Sequence, residues 1–213
     1  MARLFAFGCS YTYGHGLADC IVGKCDAGPE PSKLVYVNLL ADYLNIKEVK
    51  NCAMPGKSNK WILSALETYL DLIKPDDIVI LQWSLMEREC ILGNEFRKNY
   101  MKSIDLGPWK KQDHRSQMYY KYIYSEYNSR VTTSWYINYA DFLLKHKNIT
   151  KVLHTAPPQG AIIAPNIINK ENYLNTCLAD HRVDIAQDNS HPGPKTHQLF
   201  ANYLLENCPW LKE

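Results

Sequence analysis

The segment 78–83 constrains the fold most, because it is the most strand-like run in the chain and its apolar residues do not alternate with polar ones. Parallel strands that are covered on both faces have this pattern. Further short runs predict four more strands, at residues 4–7, 46–52, 149–156 and 182–186. Segments with helical periodicity separate them. The sequence therefore predicts an α/β fold, a three-layer α/β/α sandwich around a five-stranded parallel sheet.

Four helices are predicted from capping residues and apolar stripes. Ser32 is expected to cap a helix over residues 33–44. Ser58 or Asn59 is expected to cap a second helix, which Pro75 stops. A third helix, 132–146, should face inward with Trp135, Tyr139, Phe142 and Leu143. The last helix should have Pro194 in its first turn and bury Leu199, Phe200, Tyr203 and Leu204.

Composition limits the classes of function. A chain of 213 residues is expected to form one domain, 1–213, and its net charge of +2 gives no reason to expect nucleic acid or an anionic membrane as a partner. No apolar run approaches the roughly 20 residues of a membrane span, and the run before Gly8 is too short for a signal peptide. We therefore expect a cytoplasmic protein; its oligomeric state is left open.

The cysteines are consistent with that compartment. Seven scattered cysteines suggest reduced thiols rather than a disulfide framework. The pair Cys20 and Cys25 lacks a second pair of ligands, so we expect no zinc there. No metal or other cofactor is predicted.

Residues 85–127 do not fit the alternation of strands and helices. They contain Trp109 and a group of tyrosines, including Tyr119 and Tyr120, among many charges. We interpret them as a partly helical insertion that reaches over the edge of the sheet, where inserted segments often form substrate walls. The alternative is that the tyrosines pack a helical subdomain. Aromatic side chains also suit sugar rings, so a carbohydrate substrate stays among the candidates.

A candidate nucleophile follows the first strand. The sequence Gly8-Cys9-Ser10 ends that strand, and Gly14 follows shortly after. A serine there lies at the carboxyl edge of the sheet, where open α/β sheets bind ligands. Cys9, its neighbour, is expected to point the other way, into the core. The alternative is that Ser10 only caps the following helix.

A candidate base lies near the end of the chain. Asp188 precedes His191 by three residues, so the acid can orient the imidazole, which can then accept a proton from a serine. His15, His154 and His197 are the other candidates, but none of them has an acid placed in this way.

These blocks resemble the SGNH hydrolases, also called GDSL-type lipases and esterases. Gly8-Cys9-Ser10 is similar to the family's nucleophile block, Asp188 and His191 to its acid–base block, and residues 51–59 to its glycine block. The resemblance implies strand order 2-1-3-4-5 and a Ser10–His191–Asp188 acyl-enzyme mechanism. It also implies an oxyanion hole formed by the amides of Ser10 and Gly56.

The chain departs from the family pattern at two places. Cys9 stands where the family has aspartate. The fourth block, which supplies an asparagine donor, is missing, and Met86 falls roughly at its position. Gln82, Ser84 or Asn59 are the candidates to replace that donor. Phage and other divergent members share the Trp-Ser stretch found here instead, which points to a viral or environmental source and, for a virus, to the virion or host cytoplasm.

The sequence thus predicts a serine esterase for a small acyl ester, with an O-acetyl group on a carbohydrate as one candidate. The partner is a small-molecule or carbohydrate ester. The substrate-binding candidates are Tyr11, Arg88, Trp109, Tyr119 and Tyr120. The alternatives are a catalytically weak or inactive module that binds a glycan or protein, and an acyltransferase with the same triad.

Overall fold

The chain folds into alternating strands and helices, as a computed structural model shows for residues 2–23, 25–97, 100–158 and 166–212. In chain order the elements are β1 (Leu4–Phe7), α1 (Ser10–Tyr13), β2 (Ile21–Val22), β3 (Asp26–Ala27), α2 (Tyr36–Tyr43), β4 (Val49–Asn51), α3 (Asn59–Tyr69), β5 (Ile78–Gln82), β6 (Glu89–Arg97), β7 (Tyr100–Leu106), α4 (His114–Tyr122), α5 (Glu126–His146), β8 (Val152–Thr155), β9 (Tyr173–Leu174) and α6 (Pro194–Asn207).

The central sheet has the order β4-β1-β5-β8-β9, and all of its strand pairs are parallel. This is the order 2-1-3-4-5 that the family resemblance implies. The strand β5 lies in the middle and is buried along its whole length, which agrees with its unbroken apolar pattern. The carboxyl ends of β1, β4, β5 and β8 therefore meet at one edge of the sheet.

Each face of the sheet has its own apolar core, because side chains alternate between the two faces of a strand. On one face, Phe5, Phe7 and Leu81 pack against α3 and α5. On the other face, Leu4 and Ile80 pack against α2 and α6. The predicted three-layer sandwich is confirmed. None of the helices in the described ranges combines the length and apolarity needed to cross a membrane.

The predicted insertion is only partly helical. Its first half is the antiparallel hairpin β6–β7, and α4 follows; its residues 98 and 99 lie outside the described residues. The Lys57 ammonium, just before α3, donates to Asp105 Oδ2 (2.7 Å) and Ser103 Oγ (2.9 Å) on β7. This mostly buried ion pair fixes the hairpin against the start of α3.

The fifth strand is not where the sequence predicts it. Residues 182–186 form only one antiparallel bridge, between Ile185 and Pro192, and Val183 and Ile185 are exposed. The fifth strand is instead β9, whose two residues pair with the end of β8. The prediction was wrong because alternating β-branched residues also suit an extended surface segment, whereas a two-residue strand has no recognisable pattern.

The predicted inward face of the third long helix is also wrong for its aromatic residues. Trp135 is 66% exposed and Phe142 61%, and Tyr139 is exposed as well. The buried face of α5 consists of Thr133, Ser134, Ile137, Ala140 and Leu144. These smaller residues let α5 approach α3 and the sheet more closely.

The structure corrects two of the predictions about helix ends and faces and confirms two others. The helix α2 begins at Tyr36 rather than residue 33, because the Ser32 hydroxyl instead donates to Asp19 and accepts from the amide of Leu34. Ser58 caps α3 by accepting from the amide of Trp61, as predicted. Pro194 begins α6, as predicted. On α6, Phe200 and Leu204 are buried, but Leu199 is exposed.

Candidate active site

Ser10 is the first residue of α1 and follows β1 after a two-residue turn. The turn needs glycine at position 8, because a Cβ there would overlap the side chain of Thr12. The helix ends after one turn at Gly14, which has φ = +79°. Cys9 is buried, as predicted. Since the first amides of a helix have no carbonyl one turn earlier, the Ser10 N–H is not used by the helix itself.

Asp188 and His191 form a hydrogen-bonded pair on a tight loop before α6. The carboxylate Oδ2 is bonded to the imidazole Nδ1, and Oδ1 accepts from the amides of Ser190 and His191 (both 3.0 Å). Asn189 makes the turn with φ = +57°, and the amide of Ala186 donates to the carbonyl of His191 (2.9 Å). The loop thus holds the ring with Nδ1 on the carboxylate and Nε2 directed elsewhere.

This loop packs against the residues that follow Ser10. The imidazole of His191 makes an edge contact with the ring of Tyr11 (5.9 Å between centroids) and lies against His15 (4.4 Å). The amide of Gln187 donates to the carbonyl of Gly16 (3.0 Å). No hydrogen bond joins Ser10 to His191 within the described part of the chain, so the direct proton-transfer contact is a proposal.

The electrostatics favour a neutral imidazole and a charged carboxylate. Burial lowers the pKa of His191, the hydrogen bond and charge of Asp188 partly offset that effect, and the nearby charge of Arg88 lowers the pKa further. Burial acts to raise the pKa of Asp188, but hydrogen bonds from His191 and Ser190 outweigh it and the pKa is lowered. Near neutral pH, His191 is therefore an unprotonated base beside an ionised acid.

Similar solved structures establish the fold of this chain. An acetyl xylan esterase (Est2A) from Butyrivibrio proteoclasticus is 14% identical, aligns with 98% of this chain and has a TM-score of 0.60. A protein of the G-D-S-L family from Desulfitobacterium hafniense DCB-2 is 12% identical over 97% of this chain (0.55). The psychrotrophic esterase EstA from Pseudoalteromonas sp. is 10% identical over 100% (0.56). The chain has the SGNH-hydrolase fold.

The lengths of these proteins differ. This chain spans 65% of the Est2A chain, but 99% of the Desulfitobacterium protein and 100% of EstA. The sequence itself matches no protein-family model and no curated protein. The likeness therefore concerns the fold, and the residues carry the argument about chemistry.

Two of the remaining histidines are structural in this SGNH fold. His154 and His197 are each 1% exposed. His154 Nδ1 accepts from the indole of Trp83 (3.2 Å), and His197 Nδ1 accepts from the amide of Tyr36 (3.3 Å). Burial lowers the pKa of His197 to about 4. His197 is thus a core residue rather than a candidate base. His15 does lie at the site, where its Nε2 is bonded to the carbonyl of Cys25 (2.9 Å).

The candidate oxyanion donors differ in whether their N–H or O–H groups are already used in other hydrogen bonds. Gly56 occupies an exposed turn with φ = +78°, and a Cβ there would meet nothing within 4 Å. Asn59 has both amide hydrogens committed, to the carbonyl of Ser84 (3.1 Å) and to Thr133 Oγ1 (3.3 Å). Ser84 Oγ accepts from Arg88 (3.1 Å). Its hydroxyl hydrogen is not used in that bond.

Gln82 is the third of these candidates and is completely buried at the end of β5. Its Oε1 accepts from Thr12 Oγ1 on α1 (3.0 Å), whereas Nε2 has no partner among the described residues. The structure therefore leaves Gln82 with free amide hydrogens and Asn59 with none.

The substrate-binding candidates fall into two groups. Burial lowers the pKa of His191 and raises that of Tyr11, and the charge of Arg88 adds to the first effect and opposes the second. The Arg88 guanidinium lies over the ring of Trp109, 5.0 Å from the centroid. In contrast, the Tyr120 hydroxyl bonds to the carbonyls of Glu87 and Leu106, which makes it a structural link within the insertion. Tyr119 packs against the Tyr120 ring (5.1 Å).

Sequence reasoning missed Gly16. It has φ = +87°, and a Cβ on it would lie 2.6 Å from the carboxylate of Asp188. The absence of a side chain at Gly16 therefore lets the Asp188 carboxylate lie close to the backbone there. The only available signal was its proximity to Gly14, because nothing local shows that a residue 172 positions later approaches it.

Sequence reasoning also missed Asn51. Its Nδ2 donates to the carbonyl of Thr12 (2.7 Å), and its Oδ1 accepts from the amide of Ala53 (3.1 Å). The side chain thus joins the end of β4 to the helix that carries Ser10. Asn51 begins the block that resembles the family's glycine block, so its position was marked, but its bond to α1 was not predictable.

Proposed function

We propose that this protein is a serine ester hydrolase that acts on a small acyl ester. One observation carries the proposal: the hydrogen-bonded Asp188–His191 pair is packed against the loop that begins at Ser10. A serine at the carboxyl edge of the sheet, a neutral imidazole and an ionised acid are the groups that a Ser-His-Asp mechanism needs.

The proposed reaction has two steps. Ser10 Oγ attacks the ester carbonyl while His191 Nε2 takes its proton, and His191 then gives that proton to the departing alcohol. Water attacks the resulting acyl-enzyme as His191 takes a proton from it, and the acid product leaves as Ser10 regains its hydrogen. Asp188 holds the ring through Nδ1 and stabilises the imidazolium that forms between transfers.

The negative oxygen of each tetrahedral intermediate needs hydrogen-bond donors, and losing one typically costs about a hundredfold or more in rate. We propose the backbone amides of Ser10 and Gly56 for this role. The free amide hydrogens of Gln82 and the hydroxyl hydrogen of Ser84 are the remaining side-chain candidates, because the amide hydrogens of Asn59 are committed. The guanidinium of Arg88 would hold a carbonyl or anionic group of the substrate.

We propose an acetylated carbohydrate as the substrate class. Est2A, which has the same fold, is an acetyl xylan esterase. In this chain, Trp109 is 47% exposed beside Arg88, so one apolar aromatic surface is available to a sugar ring near the site. This substrate requires only the triad and the oxyanion donors, with no metal or nucleotide.

A non-catalytic binding module is the second candidate, favoured by Met86 at the position of the missing asparagine donor. The two candidates differ in turnover. The test is hydrolysis of p-nitrophenyl acetate and of an acetylated xylo-oligosaccharide, with covalent labelling by a fluorophosphonate. A serine hydrolase turns over the esters and carries the label on Ser10. Absence of both turnover and label in the folded wild-type protein would favour the binding module.

Variants sharpen this test. Ser10→Ala and His191→Asn should each reduce turnover by on the order of 10³-fold or more while the protein stays folded. Ser190→Ala is the matched control, because it makes the same change on the exposed part of the Asp188 loop. Full activity in Ser10→Ala would refute the serine mechanism. An acyltransferase would give the same label but prefer an added alcohol over water as acceptor.

A further inference from the structure

A positive charge without a counter-charge lies beside the candidate active site. Among the residues that the structure describes, no carboxylate is within ion-pair distance of the Arg88 guanidinium. We propose that Arg88 selects substrates that carry a carboxylate, so that the ester which the protein hydrolyses belongs to an acidic carbohydrate. The hydrolysis rests on the proposed esterase function, whereas the binding of an acidic sugar chain does not.

Arg88 is held at the same edge of the sheet as Ser10. Where β1 pairs with β5, Phe7 is opposite Leu81, and Ser10 and Ser84 each follow three residues later. Ser84 Oγ accepts a hydrogen bond from Arg88 Nη1 (3.1 Å). Because neighbouring parallel strands end at one edge, the guanidinium is anchored next to the strand end that leads to the nucleophile.

The charge of Arg88 reaches the residues around that nucleophile. Burial raises the pKa of Tyr11, and the positive charges of Arg88 and Arg182 oppose the rise. Burial lowers the pKa of His191, and Arg88 lowers it further against the opposing effect of Asp188. A negative group bound at Arg88 would therefore lie within electrostatic reach of the catalytic residues.

The guanidinium has unused donors in a fixed orientation. Nη1 carries two hydrogens and gives one to Ser84, and Nη2 has no hydrogen-bond partner in the described part of the chain. The ring of Trp109 lies against the group, with its centroid 5.0 Å from the guanidinium carbon. Nη1 and Nη2 can together donate to both oxygens of one carboxylate, which is the paired geometry that favours arginine over lysine.

Part of this charge is withdrawn from water. Arg88 is half-buried, and its Nε is shielded from solvent without a partner among the described residues. A partly desolvated charge is unfavourable until an opposite charge is supplied. Its acidic neighbours in sequence, Glu87 and Glu89, do not supply one, and Glu89 Oε1 instead accepts from the amide of Cys90 (2.8 Å).

The surroundings favour a singly charged group on a sugar. Glu87, Glu89 and the ionised Asp188 would repel a doubly charged phosphate more than a carboxylate. Trp109, which is 47% exposed, is the aromatic surface proposed above for a sugar ring. A sugar chain that contacts this ring also reaches Arg88, and uronic acids are sugars that carry a carboxylate. We therefore expect an acylated uronate chain rather than a neutral one.

The first experiment compares two forms of one substrate. Turnover is measured on an acetylated oligogalacturonide and on the same material after reduction of its carboxylates to alcohols, so that only the acidic group differs. The wild type should have a kcat/KM about tenfold or more higher for the acidic form, as expected for a hydrogen bond between charged groups. This preference should shrink as the salt concentration rises.

Variants assign the preference to Arg88. Arg88→Gln should bring the ratio of the two kcat/KM values close to one, whatever it does to each value. Arg88→Lys should keep part of the preference, because the charge remains while the paired donors are lost. Arg115→Gln is the matched control, since it removes an exposed arginine from α4 in the same insertion, and it should keep the wild-type ratio. Circular dichroism checks that each variant is folded.

The second experiment does not depend on turnover. Oligogalacturonide without acetyl groups is titrated calorimetrically into Ser10→Ala and into the double variant Ser10→Ala/Arg88→Gln. The single variant should bind the acidic chain about tenfold or more tightly than the double variant does. Neither should bind the carboxyl-reduced chain as tightly.

The outcomes separate the two proposals. Binding of the acidic chain through Arg88 in a protein that hydrolyses no ester would support the acid selection and count against the esterase function alone. Equal kcat/KM values for the acidic and neutral esters in the wild type would overturn the acid selection. An unchanged preference in Arg88→Gln, or no binding of the acidic chain to Ser10→Ala, would overturn it as well.

Discussion

Asn59 is hydrogen-bonded to both backbone groups of Ser84. Its Oδ1 accepts from the Ser84 amide (2.6 Å), and its Nδ2 donates to the Ser84 carbonyl (3.1 Å). The bonds tie the first residue of α3 to the segment that follows β5. They fix the turn with Gly56 relative to Arg88, whose guanidinium is held in turn by Ser84 Oγ (3.1 Å). Asn59, one of the three candidates to replace the missing asparagine donor, therefore organises the site instead.

We expect Asn59→Ala to destabilise the protein by about 2–4 kcal/mol, because it leaves a buried amide and carbonyl of Ser84 without partners. Urea denaturation measures this. Asn207→Ala is the control, since its amide bonds to the carbonyl of Tyr203 on an exposed surface; we expect about 0.5 kcal/mol or less there. If Asn59→Ala keeps its stability and loses about a hundredfold in turnover, Asn59 is an oxyanion donor after all.

Gly16→Ala should disrupt the catalytic site more than the fold. The positive φ alone costs on the order of 1 kcal/mol for alanine, and the added methyl group would meet the Asp188 carboxylate at 2.6 Å. We expect the loop to shift, the Asp188–His191 pair to move from Ser10, and turnover to fall by roughly a hundredfold or more.

The control for Gly16→Ala is Gly23→Ala, which also has a positive φ (+62°) but no atom within 4 Å of the added Cβ. It carries the backbone strain without the overlap, so it should keep its turnover. Comparable turnover losses in both variants would assign the effect to strain and not to the approach of Asp188.

The sequence predicts the parts of the site that depend on strand order. Ser10 follows β1 and the acid–base block precedes α6, so a 2-1-3-4-5 sheet brings these ends of the chain together. Contacts between loops were not predictable, because they depend on backbone conformations that no local pattern specifies. The approach of Gly16 to Asp188 and the bonds from Asn59 to Ser84 are both of this kind.

Periodicity also failed to identify the buried face of α5. Trp135, Tyr139 and Phe142 recur at helical spacing just as a core stripe does. The helix instead buries Ile137, Ala140 and Leu144. Hydrophobicity alone favours the aromatic stripe; the structure selects the other face because small residues permit closer packing of α5.

Substitutions on the buried and exposed faces of α5 should therefore lower the free energy of unfolding by very different amounts. Ile137→Ala, at 1% exposure, should destabilise the protein by about 2–5 kcal/mol through lost burial and a cavity. Trp135→Ser, at 66% exposure, should change the free energy of unfolding by about 0.5 kcal/mol or less. Thermal or urea denaturation decides. A larger loss for Trp135→Ser would place the aromatic stripe against something in solution.

The pH dependence of kcat/KM should report His191. In the proposed mechanism the neutral imidazole is the active form, and burial lowers the pKa of His191 from its ordinary value of 6.5. Activity should therefore rise with pH through a midpoint below 6.5 and then reach a plateau. A midpoint above 7 would assign the essential ionisation to another group.

Asp188→Asn extends that test. The acid raises the pKa of His191, so removing its charge should move the midpoint to lower pH. The plateau should fall by on the order of 10³–10⁴-fold, because an amide no longer selects the correct tautomer or stabilises the imidazolium. A variant with an unchanged plateau would mean that Asp188 only supports the loop.

The insertion should decide substrate choice rather than chemistry. Trp109 is held on one side by the guanidinium of Arg88, and it lies so close to Gly107 that a Cβ there would be 2.6 Å from the indole. The position of the Trp109 ring is thus fixed beside the site. The indole has no acid or base group that could transfer a proton. A fixed aromatic ring adds binding energy for a sugar but little for a bare acetate ester.

Trp109→Ala should therefore lower kcat/KM for an acetylated xylo-oligosaccharide by about tenfold and leave p-nitrophenyl acetate nearly unchanged. Arg88→Ala should lower both, and the larger substrate more, because it removes the support of Trp109 as well as a contact to the ester. Trp135→Ala, an exposed tryptophan on α5, is the matched control and should affect neither substrate. Equal losses on both esters in Trp109→Ala would mean that the ring only stabilises the insertion, and circular dichroism with a urea titration would then show a matching loss of stability.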